Sequence, residues 1–139
     1  IDAFVQETKE KSDLVLSCDL AIWLDQFGVP GDSDTSFSRW MINKLDQVTL
    51  MAFRNTADGP GGISAVVQDE MGFADELGKD LVVAVEMKEN HEGEYVSFYQ
   101  KGEAEMHRQL SKLPQLLADH PAYKGNAVHA YEYWKNAME

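Results

Sequence analysis

Apolar residues follow two alternating rhythms along this chain. Short, near-continuous runs fall at 14–18, 48–53, 81–85 and 126–131, and stripes at helical spacing lie between them. A continuously apolar run marks a strand covered on both faces, as in a parallel sheet. Phe37, Trp40, Met41 and Leu45 repeat at helix spacing, with Ser and Thr just ahead as caps. Ile63, Val66, Val67, Met71, Ala74 and Leu77 form a second helical stripe, and Gly78 stands where a helix C-cap belongs. Met106, Leu110, Leu113 and Leu117 form a third, in which Pro114 should kink or restart the helix. Ahead of the first strand, Ile1, Phe4 and Val5 share a face and read as the tail of an amphipathic helix. The segments 28–34 and 58–62 are rich in Gly, Pro and Asp and read as loops.

Strand alternating with helix predicts an α/β fold of four consecutive strand–helix units with parallel strands and right-handed crossovers. The strand starts fall near Leu14, Val48, Leu81 and Asn126. A complete (β/α)₈ barrel of ~250 residues allots about 31 to each unit. The first two spacings match that allotment, and the third is stretched by the acidic loop after Glu86. The 139 residues therefore size as a single partial domain, 1–139, half of a TIM-type barrel. The competing fold is an open doubly wound sheet. It is disfavoured because no Gly-rich phosphate loop follows the first strand.

Composition narrows the chemistry. Hydrophobic residues make up 44% of the chain, which suits a folded globule. A net charge of −12 argues against nucleic acid and anionic membranes, which call for concentrated Lys and Arg. No apolar run approaches the ~20 residues that span a bilayer. Cys18 is the only cysteine, which leaves no internal disulfide and no Cys-rich zinc site. The chain starts at Ile1 rather than Met, so the sequence gives no localisation. The segment 32–43 starts like a calcium loop but carries Phe37 and Asn43 where Gly and Glu are needed. The four histidines show no paired ligand spacing, so no metal and no cofactor is expected.

In parallel α/β folds the working residues gather where strands end. That selects Asp19 and Trp23 after the first strand, Arg54 and Asn55 after the second, Glu86 after the third, and His129, Tyr131 and Trp134 at the fourth. Carboxylates, a guanidinium, an amide, an imidazole and aromatics on one rim suit a polar, ring-shaped ligand such as a sugar. Each residue also has a structural reading. Glu86 and Arg54 could form an ion pair, Asp19 could cap a turn, and Asn55 could end a strand. His129 could be a satisfied core histidine, Trp23 and Trp134 could be packing, and Cys18 reads as buried and inert.

Residues 48–57, 78–86 and 128–134 resemble the last strands of a poorly characterised group of glycoside-hydrolase-like TIM-barrel proteins. Residues 17–23 resemble that group's fifth strand, and Ser97-Phe98-Tyr99 fits the stretch before its seventh helix. The resemblance implies the C-terminal half of such a barrel, strands five to eight. By analogy with retaining glycosidases, Glu86 then stands like the nucleophile at the end of strand seven, with Asp19 as an assisting carboxylate. Arg54, Asn55, His129 and Tyr131 would orient hydroxyls, and Trp23 and Trp134 would stack on rings. The implied ligand is an oligo- or polysaccharide, and the implied partner is an N-terminal half-barrel or a second copy of the chain. The alternative is a non-catalytic sugar-binding half-barrel that completes itself by self-association.

Overall fold

The structure, a computed structural model, describes residues 1–137. Helix α1 (Asp2–Lys11) leads to strand β1 (Ser17–Ala21), a 3₁₀ turn (Ile22–Gln26) and a short hairpin, β2 (Gly28–Val29) and β3 (Asp32–Ser36). Then come α2 (Phe37–Lys44), β4 (Gln47–Met51), α3 (Ile63–Val66), α4 (Gln68–Leu77) and β5 (Asp80–Glu86). The chain closes with α5 (Glu103–Leu110), α6 (Leu113–Leu116), β6 (Tyr123–His129) and α7 (Tyr131–Trp134).

Four of the six strands form one sheet in the order β1-β4-β5-β6, every neighbouring pair parallel. The α/β class therefore holds. Each strand is added beside the one before it, and the order never reverses, whereas a doubly wound sheet reverses at its switch point.

Strand periodicity decides what each face carries. Val48 and Leu50 of β4, and Leu81, Val83 and Val85 of β5, point into the core. They pack with Ile42 of α2, Ile63 of α3, Met71 and Ala74 of α4, Met106 of α5, and Leu113 of α6. The alternate residues Asp19, Thr49, Met51, Ala84 and Ala127 line a shallow depression of about 240 Å³ on the other face. Thr49 and Met51 there are only half-buried, although parallel sheets are ordinarily covered on both faces.

Several helix boundaries follow local chemistry. Ser36 caps α2 by accepting a hydrogen bond from the Arg39 amide. Gly78 ends α4 in the left-handed conformation, as its position suggested. Pro114 stands in the first turn of α6, so the stripe from Met106 restarts there rather than bending. Asp75 of α4 reaches across to the approach to β6, holding His120 and the Ala122 amide through its two carboxylate oxygens.

Other boundaries moved. β1 starts at Ser17 rather than Leu14, because its partner β4 begins at Gln47 and the register pairs Ser17 with it. Leu14 and Val15 have no strand beside them and stay exposed. Leu16 is tied instead to the loop before β4, its amide donating to the Asp46 carboxylate at 2.7 Å. β6 spans Tyr123–His129, earlier than its apolar residues indicated, because Lys124, Gly125 and Asn126 break the pattern on an edge strand. Segment 28–34 contains most of the β2–β3 hairpin, turning at Gly31 with φ +88°.

The turn into α3 leaves no room for a side chain at Gly62, where a Cβ would lie 2.5 Å from the Asp58 carbonyl oxygen. Gly62→Ala should lower the unfolding free energy by about 1–3 kcal/mol in urea titrations, because the backbone must shift to admit the methyl.

Candidate functional site

Three segments following the C-terminal ends of β1, β4 and β5 meet at that rim of the sheet. The 3₁₀ turn brings Trp23, Asp25 and Gln26. The segment after β4 brings Phe53 and Arg54, and the loop after β5 brings Glu92, Tyr95 and Val96. With Val66 and Asp69 they enclose a cleft of about 700 Å³. Met51 and Phe53 also border the depression that holds Asp19 and His129, so the two hollows form one continuous surface.

Glu86 is the last residue of β5 and pairs in register with His129 of β6. Its side chain is 8% exposed, against 58% for His129. Oε1 is 2.6 Å from His129 Nδ1 and accepts from the Lys88 amide at 3.2 Å. Oε2 has no protein partner among the described residues and is not sealed off from solvent. Phe53 stacks on the His129 ring, with centroids 5.8 Å apart and planes 21° off parallel. The imidazole is therefore oriented by a carboxylate at one nitrogen and an aromatic face beside it. His129 is no core histidine.

Ala130, directly after His129, has φ +72° and ψ +72° and is the only non-Gly residue with positive φ among the described residues. For a residue with a Cβ this region costs roughly 1–2 kcal/mol. Such strain gathers at working sites where the surroundings over-determine the backbone. The Ala130 carbonyl accepts from the Tyr133 and Trp134 amides, and the Met87 amide donates to the His129 carbonyl.

Arg54 does not pair with Glu86. Its Nη1 donates to the Phe53 carbonyl at 2.9 Å, and its guanidinium lies 5.1 Å from the Tyr95 ring centroid, on the cleft wall. Trp23 is 54% exposed and lines the cleft, edge-on to Phe27. Both are available to a ligand.

Asn55 is committed elsewhere. At 2% exposure, its amide donates to the Glu94 and Ser97 carbonyls at 2.6 and 2.9 Å, and its Oδ1 accepts from Lys101 at 3.0 Å. It was expected to orient hydroxyls. With every polar atom engaged, it instead clamps the loop that carries Tyr95. Trp134 donates to Glu103 at 2.9 Å and packs against the core. Tyr131 is exposed at the start of α7, beside Lys135, and borders neither hollow.

Asp19 also moves from its expected place. β1 runs on to Ala21, so Asp19 is mid-strand, in register with Thr49 and, through it, with Val82. Two strand spacings and four residue rises separate its backbone from that of Glu86, about 16 Å in all. Paired glycosidase carboxylates stand ~5–5.5 Å apart for retention and ~6.5–9.5 Å for inversion. The register thus keeps Asp19 from assisting Glu86 and makes it the polar floor of the depression. On the covered face beside it, burial and the Asp19 charge push the Cys18 thiol up.

Asp25, Asp69, Glu92 and Tyr95 were not singled out in the sequence, because loops far apart in the chain bring them together. Tyr95, directly after the acidic run 89–94, was the one available signal. Among the described residues, no group of three or more His, Cys, Asp or Glu could hold a metal ion, and no helix is long and apolar enough to cross a membrane. Compared with known protein families, curated proteins and solved structures, the chain matches none.

Asn55→Ala should cost about 1–3 kcal/mol through the carbonyls it leaves unpaired. It should also raise amide exchange across 94–101, read by mass spectrometry, while leaving β4 and β5 protected. Equal deprotection of the strands would mean that Asn55 supports the whole domain rather than the loop.

Proposed function

We propose that the chain is half of a TIM-type barrel of the glycoside-hydrolase kind, with Glu86 as its nucleophile or electrostatic stabiliser. The observation that carries this reading is the Glu86–His129 pair. It is a nearly buried carboxylate at a strand C-terminus with one oxygen held by an imidazole and the other without a protein partner. A carboxylate in that state can approach a developing positive charge on a sugar ring without first giving up its own hydrogen bonds. Trp23 offers an exposed ring for stacking, and Arg54 and His129 offer donors to hydroxyls.

The unreversed strand order and the bare sheet face support the half-barrel, since a barrel interior is lined by the residues that alternate with the core. The second carboxylate of the pair would come from the complementary half, because Asp19 is out of reach. Joined to that half, the protein should cleave an oligosaccharide, and Glu86→Gln should reduce turnover about 10³-fold while leaving binding within a few-fold. Full activity in the Gln variant would remove Glu86 from catalysis.

A second reading is a non-catalytic sugar-binding half-barrel that pairs with another copy. The outer edges of β1 and β6, unpaired among the described residues, favour it together with the bare face. Light scattering after size exclusion should then give twice the chain mass. Calorimetry should show oligosaccharide binding without turnover, weakened about tenfold by Trp23→Ala. A monomer that binds no sugar would exclude this reading.

A further inference from the structure

A second polar cluster lies beneath the cleft, where α2, α4 and the 3₁₀ turn pack together. Glu70, in the first turn of α4, is only 1% exposed. Its Oε1 accepts from the buried Ser38 hydroxyl of α2 at 3.3 Å. Its Oε2 is sealed from solvent and has no partner. On the 3₁₀ turn, Asp25 Oδ1 is in the same condition, and these are the only two such side-chain atoms among the described residues. Buried acceptors without a donor are rare in native proteins and ask for an explanation.

Among the described residues no cation is bonded to either oxygen: Arg54, which shares the cleft with Asp25, donates to the Phe53 carbonyl and lies over the Tyr95 ring. On α2, Arg39 is engaged by Glu76 and lies over Phe73, and Lys44 pairs with Asp2. Helix α3 carries no charged residue, and Asp80 at the start of β5 faces Lys124. The charges that bear on Glu70 are carboxylates, Asp25 from the turn and Asp69 from its own helix. Burial first, and those neighbours after it, push the Glu70 carboxyl up to about 7. A protonated carboxyl is a hydrogen-bond donor and a carboxylate an acceptor, so a single proton held between the two groups would satisfy both orphaned oxygens.

We propose that Glu70 and Asp25 share a proton, and that this acid–carboxylate hydrogen bond docks the 3₁₀ turn, and Trp23 with it, onto α4. Glu70 is then a positioning residue that shapes the cleft through Asp25, whatever ligand the cleft takes. The sign follows from linkage. The folded-state pKa is raised, so the contribution is complete below the ordinary carboxylate pKa and is lost as pH rises through about 7. Above that, two carboxylates oppose each other and the turn comes loose.

Trp40→Phe and Trp134→Phe together leave Trp23 as the only indole. Acrylamide quenching of that protein, followed from about pH 5 to about pH 9, should increase by up to about two-fold around neutrality, since Trp23 is already 54% exposed when docked. Amide exchange at 22–26, corrected for intrinsic rate, should rise in parallel in the native chain. Glu70→Gln and Asp25→Asn each supply an amide donor in place of the proton. Both should abolish the step and keep the turn docked at high pH, whereas a merely structural role predicts loosening in both. If one variant fails to fold, the other carries the test. A flat wild-type profile, or a step that persists in the variants, would overturn the proposal. So would a step that millimolar calcium chloride suppresses, because the two oxygens would then belong to a cation site.

Discussion

Parity governs this structure. Once Val48 and Leu50 of β4, and Leu81, Val83 and Val85 of β5, are committed to the helices, the two-residue period leaves their neighbours no choice of side. Thr49, Met51 and Ala84 must face away from the core, and Glu86 must leave β5 on that same side. A register slip of one residue would bury Glu86 among the helices and bring Val85 to the rim. The hydrophobic core thus aims the carboxylate from the opposite face of the sheet. β4 and β5 carry this constraint, which is why the best-packed strands deliver the residues nearest the proposed chemistry.

Those two strands were also the most legible parts of the sequence. Val48 to Phe53 is apolar but for Thr49 and Leu81 to Val85 is continuously apolar, and a strand between two others needs no further signal. The outer strands were harder to read for a shared reason. β1 and β6 each have only one neighbour, so Ser17, Asp19, Lys124 and Asn126 are tolerated there, and the strand bounds follow pairing rather than hydropathy. The rule that strand ends carry function selected Glu86, Arg54 and Trp23, and the structure places Glu86 at the end of β5 and the other two on the cleft wall. Asn55 obeyed the same rule and turned out to be a clamp, because residue type and position cannot show which groups a side chain will meet. Glu70 lay inside an apolar helical stripe with nothing to mark it as buried. Its isolation exists only once α2 and the 3₁₀ turn close over it.

The cleft is assembled from parts with different kinds of support. Phe53 and Met51 continue the sheet and are as rigid as it is. Tyr95 depends on Asn55 and Lys101 to hold its loop, and Arg54 then depends on Tyr95 for a ring to lie against. Trp23 belongs to a single short turn, seated on the core by Ile22 and Leu24. The walls are therefore held in different ways, by the sheet, by a side-chain clamp and by apolar packing.

Ala130 adds a mechanical consequence. Its backbone is set in a conformation that costs a methyl-bearing residue energy, and its neighbours hold it there, with Met87 just past β5 gripping the His129 carbonyl on one side and α7 gripping the Ala130 carbonyl on the other. Such a joint is like a compressed spring between two clamps. Release of either clamp would free the backbone to relax and would loosen the hold on the His129 ring beside Glu86. Imidazole orientation, the end of β6 and the seating of α7 are thereby coupled as one unit, and a disturbance at the last helix would be felt at the buried carboxylate.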